Sequence, residues 1–176
     1  DRRWWDNVEI HRFEAIWIAA SLVLVVGFIA TVTYGAVGVG VEMIDDEGGT
    51  VADPSNPSES PNFREPGVYR TGEDEYAVYV IARQFLFDPG TTEPIRVPAG
   101  STVTLYVTSS DVIHGFGIVG TNVNAMTIPG QVSKMTVEFD EPGRYGVVCN
   151  EYCGAGHHTM EGQIVVVPAN EYEGGS

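Results

Sequence analysis

Residues 132–167 read VSKMTVEFDEPGRYGVVCNEYCGAGHHTMEGQIVVV, and this stretch shows how the second half of the chain folds. Polar and apolar residues alternate from 132 to 139, as in a strand with one buried face. A Glu-Pro-Gly turn leads to a second apolar run, which ends at Cys149, and a loop leads to a third run, 162–167. The stretch therefore predicts three short strands joined by one turn and one loop.

Similar β-rich runs precede this stretch, at residues 76–83, 95–97, 102–109 and 115–119. Turn sequences separate them, among them Asp88-Pro89-Gly90 and Pro98-Ala99-Gly100. Short, regularly spaced strands with such turns are typical of an all-β sandwich or a small barrel. We therefore expect residues 73–168 to form one all-β domain, followed by a tail, 169–176.

A charge-free apolar run, residues 15–41, lies N-terminal to this domain. As a helix, its 27 residues would be about 40 Å long, whereas the hydrocarbon core of a membrane is about 30 Å thick. A buried core helix and a cleaved signal peptide are the alternatives. The strands are too few to surround such a helix, however, and the run is too long for a signal peptide. Residues 1–41 are therefore expected to hold a single membrane span in contact with lipid.

The charges that flank the span predict its orientation. Arg2, Arg3 and Arg12 precede it, and no Lys or Arg follows it before Arg64. Because Lys and Arg concentrate on the cytoplasmic side of membrane proteins, the N-terminus should be cytoplasmic. The β domain should then lie on the outer face of the cell membrane.

The composition indicates how the two parts are joined and what they do not bind. Residues 42–72 are acidic, rich in proline and poor in apolar side chains, which predicts a linker without a core of its own. The chain has 24 acidic and 9 basic residues, a net charge of −15, which argues against a role in binding nucleic acid because its phosphates would be repelled. Lys134 is the only lysine, and an acidic, lysine-poor composition is typical of proteins that work at high salt.

Residues that bind metals are concentrated in the loop after the second strand. This loop contains Cys149, Cys153, His157 and Met160, and His114 follows an earlier strand. Thiolates, imidazoles and a thioether suit copper better than calcium, magnesium or manganese. A disulfide would leave the histidines and the methionine unexplained, and structural zinc has little use for methionine. A mononuclear blue-copper site uses one cysteine, whereas two bridging cysteines suit a binuclear copper centre.

These residues resemble a family signature. Asp-Val-Ile-His at 111–114, followed by Cys-x-Glu-x-Cys-Gly-x-x-His-x-x-Met at 149–160, is similar to the signature of subunit II of haem-copper oxidases. The resemblance extends over residues 76–167. A single membrane span, rather than two, is most similar to the B-family branch of these oxidases. The acidic composition is typical of haloarchaeal proteins. The resemblance implies a cupredoxin-like Greek-key sandwich behind one N-terminal transmembrane helix, with two copper ions in a binuclear CuA centre.

The resemblance also implies a role for each ligand. Cys149 and Cys153 would bridge both copper ions through their thiolates, and His114 and His157 would each bind one ion through the imidazole. The Met160 thioether would be a weak ligand of one ion, and the Glu151 backbone carbonyl a weak ligand of the other. The Glu151 carboxylate is a candidate for magnesium or manganese where the domain meets subunit I, with a solvent-facing or Arg-paired carboxylate as the alternative. Gln84-Phe85-Leu86-Phe87 resembles the stretch where electrons enter, with core packing of Phe85 and Phe87 as an equal alternative.

The implied function is that of subunit II of cytochrome c oxidase. It would accept single electrons from cytochrome c or a small blue-copper protein and pass them to haem in subunit I, where oxygen is reduced and protons are translocated. The sequence lacks Cys-x-x-Cys-His, so no covalent haem is expected in this chain. Three alternatives remain: a CuA subunit of a nitric oxide reductase, a membrane-anchored copper-delivery protein with a thioredoxin-like fold, and a quinol-oxidase subunit without the metal.

Overall fold

The structure, a computed structural model, describes residues 11–38, 48–172 and 174. In this part of the chain there are one α-helix and ten β-strands. The helix is α1 (Arg12–Gly38). The strands are β1 (Gly67–Arg70), β2 (Glu75–Arg83), β3 (Leu86–Asp88), β4 (Ile95–Pro98), β5 (Ser101–Ser109), β6 (His114–Ile118), β7 (Asn124–Thr127), β8 (Ser133–Phe139), β9 (Gly143–Val148) and β10 (Glu161–Val167). The helix belongs to one compact unit and the strands belong to a second.

The helix α1 is long and apolar enough to cross a membrane. Its segment Arg12–Gly35 has 24 residues and a mean hydropathy of 2.5, and none of it is buried inside the protein. This agrees with the expected span, and the described part of the helix extends to Gly38. Residues 39–41 lie outside the described part of the chain. Arg2 and Arg3, on which the expected orientation depends, lie outside the described residues.

The ten strands form a sandwich of two sheets. The first sheet has the order β1-β2-β5-β8, with β3 added beside β2, and the second has the order β4-β10-β9-β6-β7. β2 is parallel to β5 and β4 is parallel to β10, while neighbours such as β9 and β10 are antiparallel. All seven expected strands are present with ends shifted by no more than one residue, so the all-β sandwich is confirmed. This architecture is not the thioredoxin-like fold of the copper-delivery alternative.

The core lies between the two sheets and follows the alternation seen in the sequence. In β8, Met135 and Val137 are buried, while Thr136 between them is only half-buried. Phe87 of β3 and Phe116 of β6 meet edge to face with ring centroids 5.3 Å apart, which joins the two sheets. Burying a side chain of this size contributes about 1.5–3 kcal/mol, so the strands that carry the loops are firmly held.

The segment before β1 packs on the outer face of the first sheet, and we call residues 48–66 the strap. Its buried side chains Val51 and Phe63 form a small apolar cluster with Ile81 and Val132. Two backbone hydrogen bonds fix the start of the strap: Val51 N–H to the Gly130 carbonyl (3.1 Å) and Val132 N–H to the Gly49 carbonyl (3.0 Å). The strap is therefore part of the folded β unit.

The strap adds to the expectation that residues 42–72 are a linker without a core of its own, because part of this segment packs on the β domain. The segment has too few apolar side chains for a core of its own, but two are enough to dock on a sheet face that already exists. Phe63, for example, meets Tyr79 edge-on with ring centroids 5.3 Å apart. Residues 48–70 thus pack on the domain or pair within it, while residues 42–47 lie outside the described part of the chain.

Candidate metal centre

The expected ligands stand at one end of the second sheet. His114 is the first residue of β6, Cys149 directly follows β9, and Met160 directly precedes β10. β9 lies between β6 and β10 and is antiparallel to both, so these three strand ends adjoin. The loop between β9 and β10 carries Cys153 and His157, and His157 begins a short 3-10 turn.

The side chains of these residues converge on the two cysteine sulfurs, whose Sγ atoms are 3.8 Å apart. The other donor atoms lie close to one sulfur or the other: His114 Nδ1 at 3.9 Å and the Glu151 carbonyl at 3.2 Å from Cys149, and His157 Nδ1 at 3.6 Å and Met160 Sδ at 3.7 Å from Cys153. Both imidazoles turn the Nδ1 atom toward a sulfur. The structure therefore brings all six expected ligands together.

Burial separates most of this cluster from water. His114 is 0% exposed, and Cys149, Cys153 and Met160 are also buried, whereas His157 is half-buried. Burial, together with the neighbouring Cys149 thiol, raises the pKa of the Cys153 thiol to about 11. Without a metal this thiol is protonated at neutral pH, so a bound cation must displace its proton.

The geometry and chemistry of the cluster fit copper. Both cysteines are free, and 3.8 Å is far beyond the length of a disulfide bond, about 2.05 Å. Metal–thiolate bonds of about 2.3 Å allow two sulfurs at this separation to share a metal ion. The Met160 thioether, 3.7 Å from one thiol, is a ligand that copper uses and structural zinc does not.

A carboxylate and an amide outside the expected ligand set hold these ligands in place. Asp111 Oδ1 lies 2.7 Å from Nε2 of His114, and Asp111 Oδ2 accepts the backbone N–H of Gln84 at 2.7 Å. The Gln84 side-chain amide donates to the Cys153 carbonyl. Burial would raise the pKa of Asp111, but the hydrogen bonds from His114, Gln84 and Val112 outweigh it and keep that pKa below its ordinary value.

Sequence reasoning did not assign roles to Asp111 and Gln84, although both lie within the motifs that it singled out. The signal for Asp111 was its position three residues before His114, a spacing that allows a carboxylate to reach the ring of the histidine. Gln84 had no comparable signal, because its partner in the Cys153 loop is distant in sequence.

The two phenylalanines expected where electrons enter differ in their surroundings. Phe87 is 1% exposed and belongs to the core, which matches the alternative of core packing. Phe85 is half-buried, and its ring lies directly against the backbone of Gly156 in the ligand loop. A Cβ added to Gly156 would come 2.5 Å from Cδ2 of Phe85. Glycine is therefore required here for close packing, and Phe85 is the only one of the two that reaches both the surface and the ligand loop.

Comparisons with known proteins agree with this site. The family described as "Cytochrome C oxidase subunit II, periplasmic domain" matches residues 77–168. "Cytochrome c oxidase subunit 2" of Thermus thermophilus is 38% identical over 156 residues, which cover 88% of this chain and 91% of the relative. The chain belongs to the cytochrome c oxidase subunit II family. The family expected from the sequence motif is thus confirmed.

Two solved structures are similar to this chain, one in sequence and fold and one in fold alone. A chain in the cryo-EM structure of a heme-copper terminal oxidase dimer has a TM-score of 0.70 and 37% identity, with 89% of this chain and 100% of that chain covered. The periplasmic domain of subunit II (CoxB) of Bradyrhizobium japonicum has a TM-score of 0.52 at 21% identity and covers 58% of this chain and 89% of that domain. The second similarity shows the fold alone, which is the cupredoxin-like sandwich expected from the sequence.

Proposed function

We propose that this chain is the electron-accepting subunit of a terminal oxidase and works through a binuclear CuA centre at the cysteine pair. The observation that carries the proposal is the pair of buried free thiols, 3.8 Å apart, with one imidazole beside each. Copper bound there would accept and release one electron at a time. Oxygen reduction and proton translocation belong to the haem-bearing subunit I.

The protein's own residues have three tasks in this function. Cys149 and Cys153 would hold the two ions through their thiolates, and His114, His157, Met160 and the Glu151 carbonyl would complete the ligand set. The strand ends fix these ligands, since side chains held by packing keep their geometry better than those on free loops. Burial of Cys149, Cys153 and Met160 keeps water away from the site.

The surface next to the site supports docking of an external donor. Val112 and Ile113, which are 39% and 44% exposed, precede His114 directly, and Tyr152, 78% exposed, contacts the His157 ring. Exposed apolar side chains clustered near a functional site favour a protein contact. We propose cytochrome c or a small blue-copper protein as donor and Phe85 as the aromatic side chain on the route. At a net charge of −15, low salt would favour a donor with a basic face.

The helix α1 would anchor this subunit in the cell membrane beside subunit I, with a cytoplasmic N-terminus and the copper domain on the outer face. This orientation rests on the arginine distribution of the sequence.

Cysteine replacement tests the copper centre. In the full chain purified in detergent, wild type should bind two copper ions with a mixed-valence electron paramagnetic resonance (EPR) spectrum. Cys149→Ser and Cys153→Ser should lose that spectrum, because serine is a harder and far less acidic ligand. Near-UV circular dichroism checks that each variant is folded. A mixed-valence, two-copper spectrum in either variant would contradict the ligand assignment, and a wild type that binds no copper would contradict the function.

The Glu151 side chain is proposed to bind magnesium or manganese at the contact with subunit I. Its carbonyl faces Cys149 while the residue is exposed, so the carboxylate is available for an oxygen-rich site outside the copper cluster. In the intact complex, Glu151→Gln should keep the copper spectrum and lose the bound magnesium or manganese in metal analysis. Glu161→Gln is the control, because Glu161 is an exposed carboxylate at the first residue of β10, directly after the ligand loop. A wild-type complex without such an ion would refute the proposal.

A further inference from the structure

The carboxylate of Asp111 is the centre of a hydrogen-bond network in the turn between β5 and β6. Its oxygens face four donors: His114 Nε2 at 2.7 Å, Gln84 N–H at 2.7 Å, Val112 N–H at 2.6 Å and Ser109 Oγ at 3.3 Å. The side chain is 32% exposed, while the His114 ring that it contacts is 0% exposed. Because Nε2 is engaged with Asp111, the ring presents Nδ1 to Cys149, 3.9 Å away.

The same network reaches the second ligand-bearing segment. Gln84 donates its backbone N–H to Asp111 and its side-chain amide to the Cys153 carbonyl. One chain of hydrogen bonds therefore runs from His114 through Asp111 and Gln84 to Cys153. It joins ligands that lie 39 residues apart in the sequence.

The two histidines differ in this respect. The ring of His157 is half-buried and contacts Tyr152 with ring centroids 5.8 Å apart. Among the residues that the structure describes, no carboxylate is hydrogen-bonded to the His157 ring. The carboxylate therefore acts on one imidazole of the pair and not on the other.

We infer that Asp111 is a positioning residue that fixes the tautomer and direction of His114, strengthens it as a copper ligand, and makes the two copper positions unequal. A carboxylate that accepts the remote N–H of a ligating histidine orients the ring and raises its basicity, and loss of such a partner costs about 10–100-fold in metal affinity. A stronger donor favours the more oxidised metal, so the carboxylate lowers the reduction potential. This inference rests on the proposed copper function.

Asp111→Asn is the sharpest test, because it preserves shape and removes charge. The new amide can offer its oxygen to His114 or to Gln84 but must turn its NH₂ group toward the other donor. Asp140→Asn is the matched control: it removes the same charge from an exposed residue after β8, whose final residue Phe139 pairs with Ser101 at the far end of β5. Gln84→Leu breaks only the branch to Cys153, since its backbone N–H is kept.

The variants are compared as full chains in detergent. Copper retention is measured by competition with a chelator, and the reduction potential by spectroelectrochemistry. Pulsed EPR on the remote imidazole nitrogens reports each histidine separately. Asp111→Asn should retain copper about 10–100-fold less well, and its potential should rise, by about 59 mV for a tenfold change in the ratio of oxidised to reduced affinity. One of the two remote-nitrogen signals should change. In Gln84→Leu the same remote-nitrogen signal should stay as in wild type, and copper retention should fall less than it does in Asp111→Asn.

Each outcome decides the matter. If Asp111→Asn matches Asp140→Asn in potential and in both nitrogen signals while wild type holds two copper ions, the positioning role is wrong and the copper function stands. If metal-free Asp111→Asn is unfolded, Asp111 stabilises the fold and the positioning role is wrong. If the remote-nitrogen signal changes in Gln84→Leu, His114 is not oriented by Asp111 alone, and the proposed role of Asp111 is likewise refuted. If wild type binds no copper, the proposed function itself fails.

Discussion

Gly115, the residue after the ligand His114, is expected to be essential for the copper loop because no side chain fits there. A Cβ built on Gly115 would overlap Asn150 Oδ1 and would lie 2.8 Å from Asn150 Cγ and from its backbone nitrogen. Rotation of the Asn150 side chain would break its hydrogen bond from Nδ2 to Asn124 Oδ1 (2.6 Å) and would still leave the clash with the backbone nitrogen. Gly117, two residues along the same strand, has its nearest neighbour at an ordinary 3.7 Å, a methyl group of Val148.

The difference between Gly115→Ala and Gly117→Ala isolates this contact. Neither glycine has a positive φ, so the backbone admits alanine at both positions, and the gain from restricting the unfolded chain, about 0.4–1 kcal/mol, is common to both. Overpacking costs about 1–3 kcal/mol, and it applies only at Gly115. In a domain of this size 1 kcal/mol shifts Tm by roughly 2–4 °C, so Gly115→Ala should melt about 2–12 °C below Gly117→Ala.

The assay has two parts. Thermal melting of the metal-free full chain in detergent is monitored by near-UV circular dichroism, and copper binding is measured separately by titration. We expect Gly117→Ala to bind copper as wild type does, while Gly115→Ala, with Asn150 displaced next to Cys149, binds it more weakly and with an altered spectrum. Equal melting temperatures and identical copper spectra for the two variants would refute the reasoning.

Three further changes have expected results. Met160→Leu should cost less than about 1.5 kcal/mol yet shift the reduction potential, because a weak axial ligand is lost, whereas Met126→Leu on the exposed side of β7 should leave the potential unchanged. Phe63→Ala should cost about 3–5 kcal/mol in melting experiments and expose the strap to limited proteolysis, because Phe63 is 2% exposed. Burial raises the pKa of Tyr79, so the folded state holds that proton more tightly than the unfolded state does. The free energy of unfolding should therefore fall as the pH rises above the ordinary tyrosine pKa of about 10, and urea titrations of Tyr79→Phe should show a smaller fall.

The sequence was most informative where a pattern is local. Alternation of polar and apolar residues predicted β8, and β-rich runs bounded by turn sequences predicted β2 and β5. The motif resemblance named the six residues that the structure brings together around the two cysteine sulfurs. The strands β1, β3 and β7 are only three or four residues long, too short for a period of two to be visible.

The strap and the Asp111 network were not predicted, because both depend on contacts between distant parts of the chain. Val51 and Phe63 are isolated apolar residues in a polar segment, and only the sheet face opposite them makes them a cluster. The hydrogen bond from Gln84 to the Cys153 carbonyl likewise spans 69 residues of sequence. No local pattern contains such a contact.

The order of the strands explains how the proposed ligands at residue 114 and at 149–160 come together in one cluster. β6 pairs with β9 through Gly117 and Val148, and β9 pairs with β10, so the strand ends are set by backbone hydrogen bonds. The loop closes on itself where Cys149 N–H donates to the Met160 carbonyl at 3.3 Å. Ligands held by the fold rather than by the ion have little freedom to rearrange when the charge of the ion changes. Single-electron transfer is fast only when such rearrangement is small, and the paired strand ends of this sandwich meet that requirement.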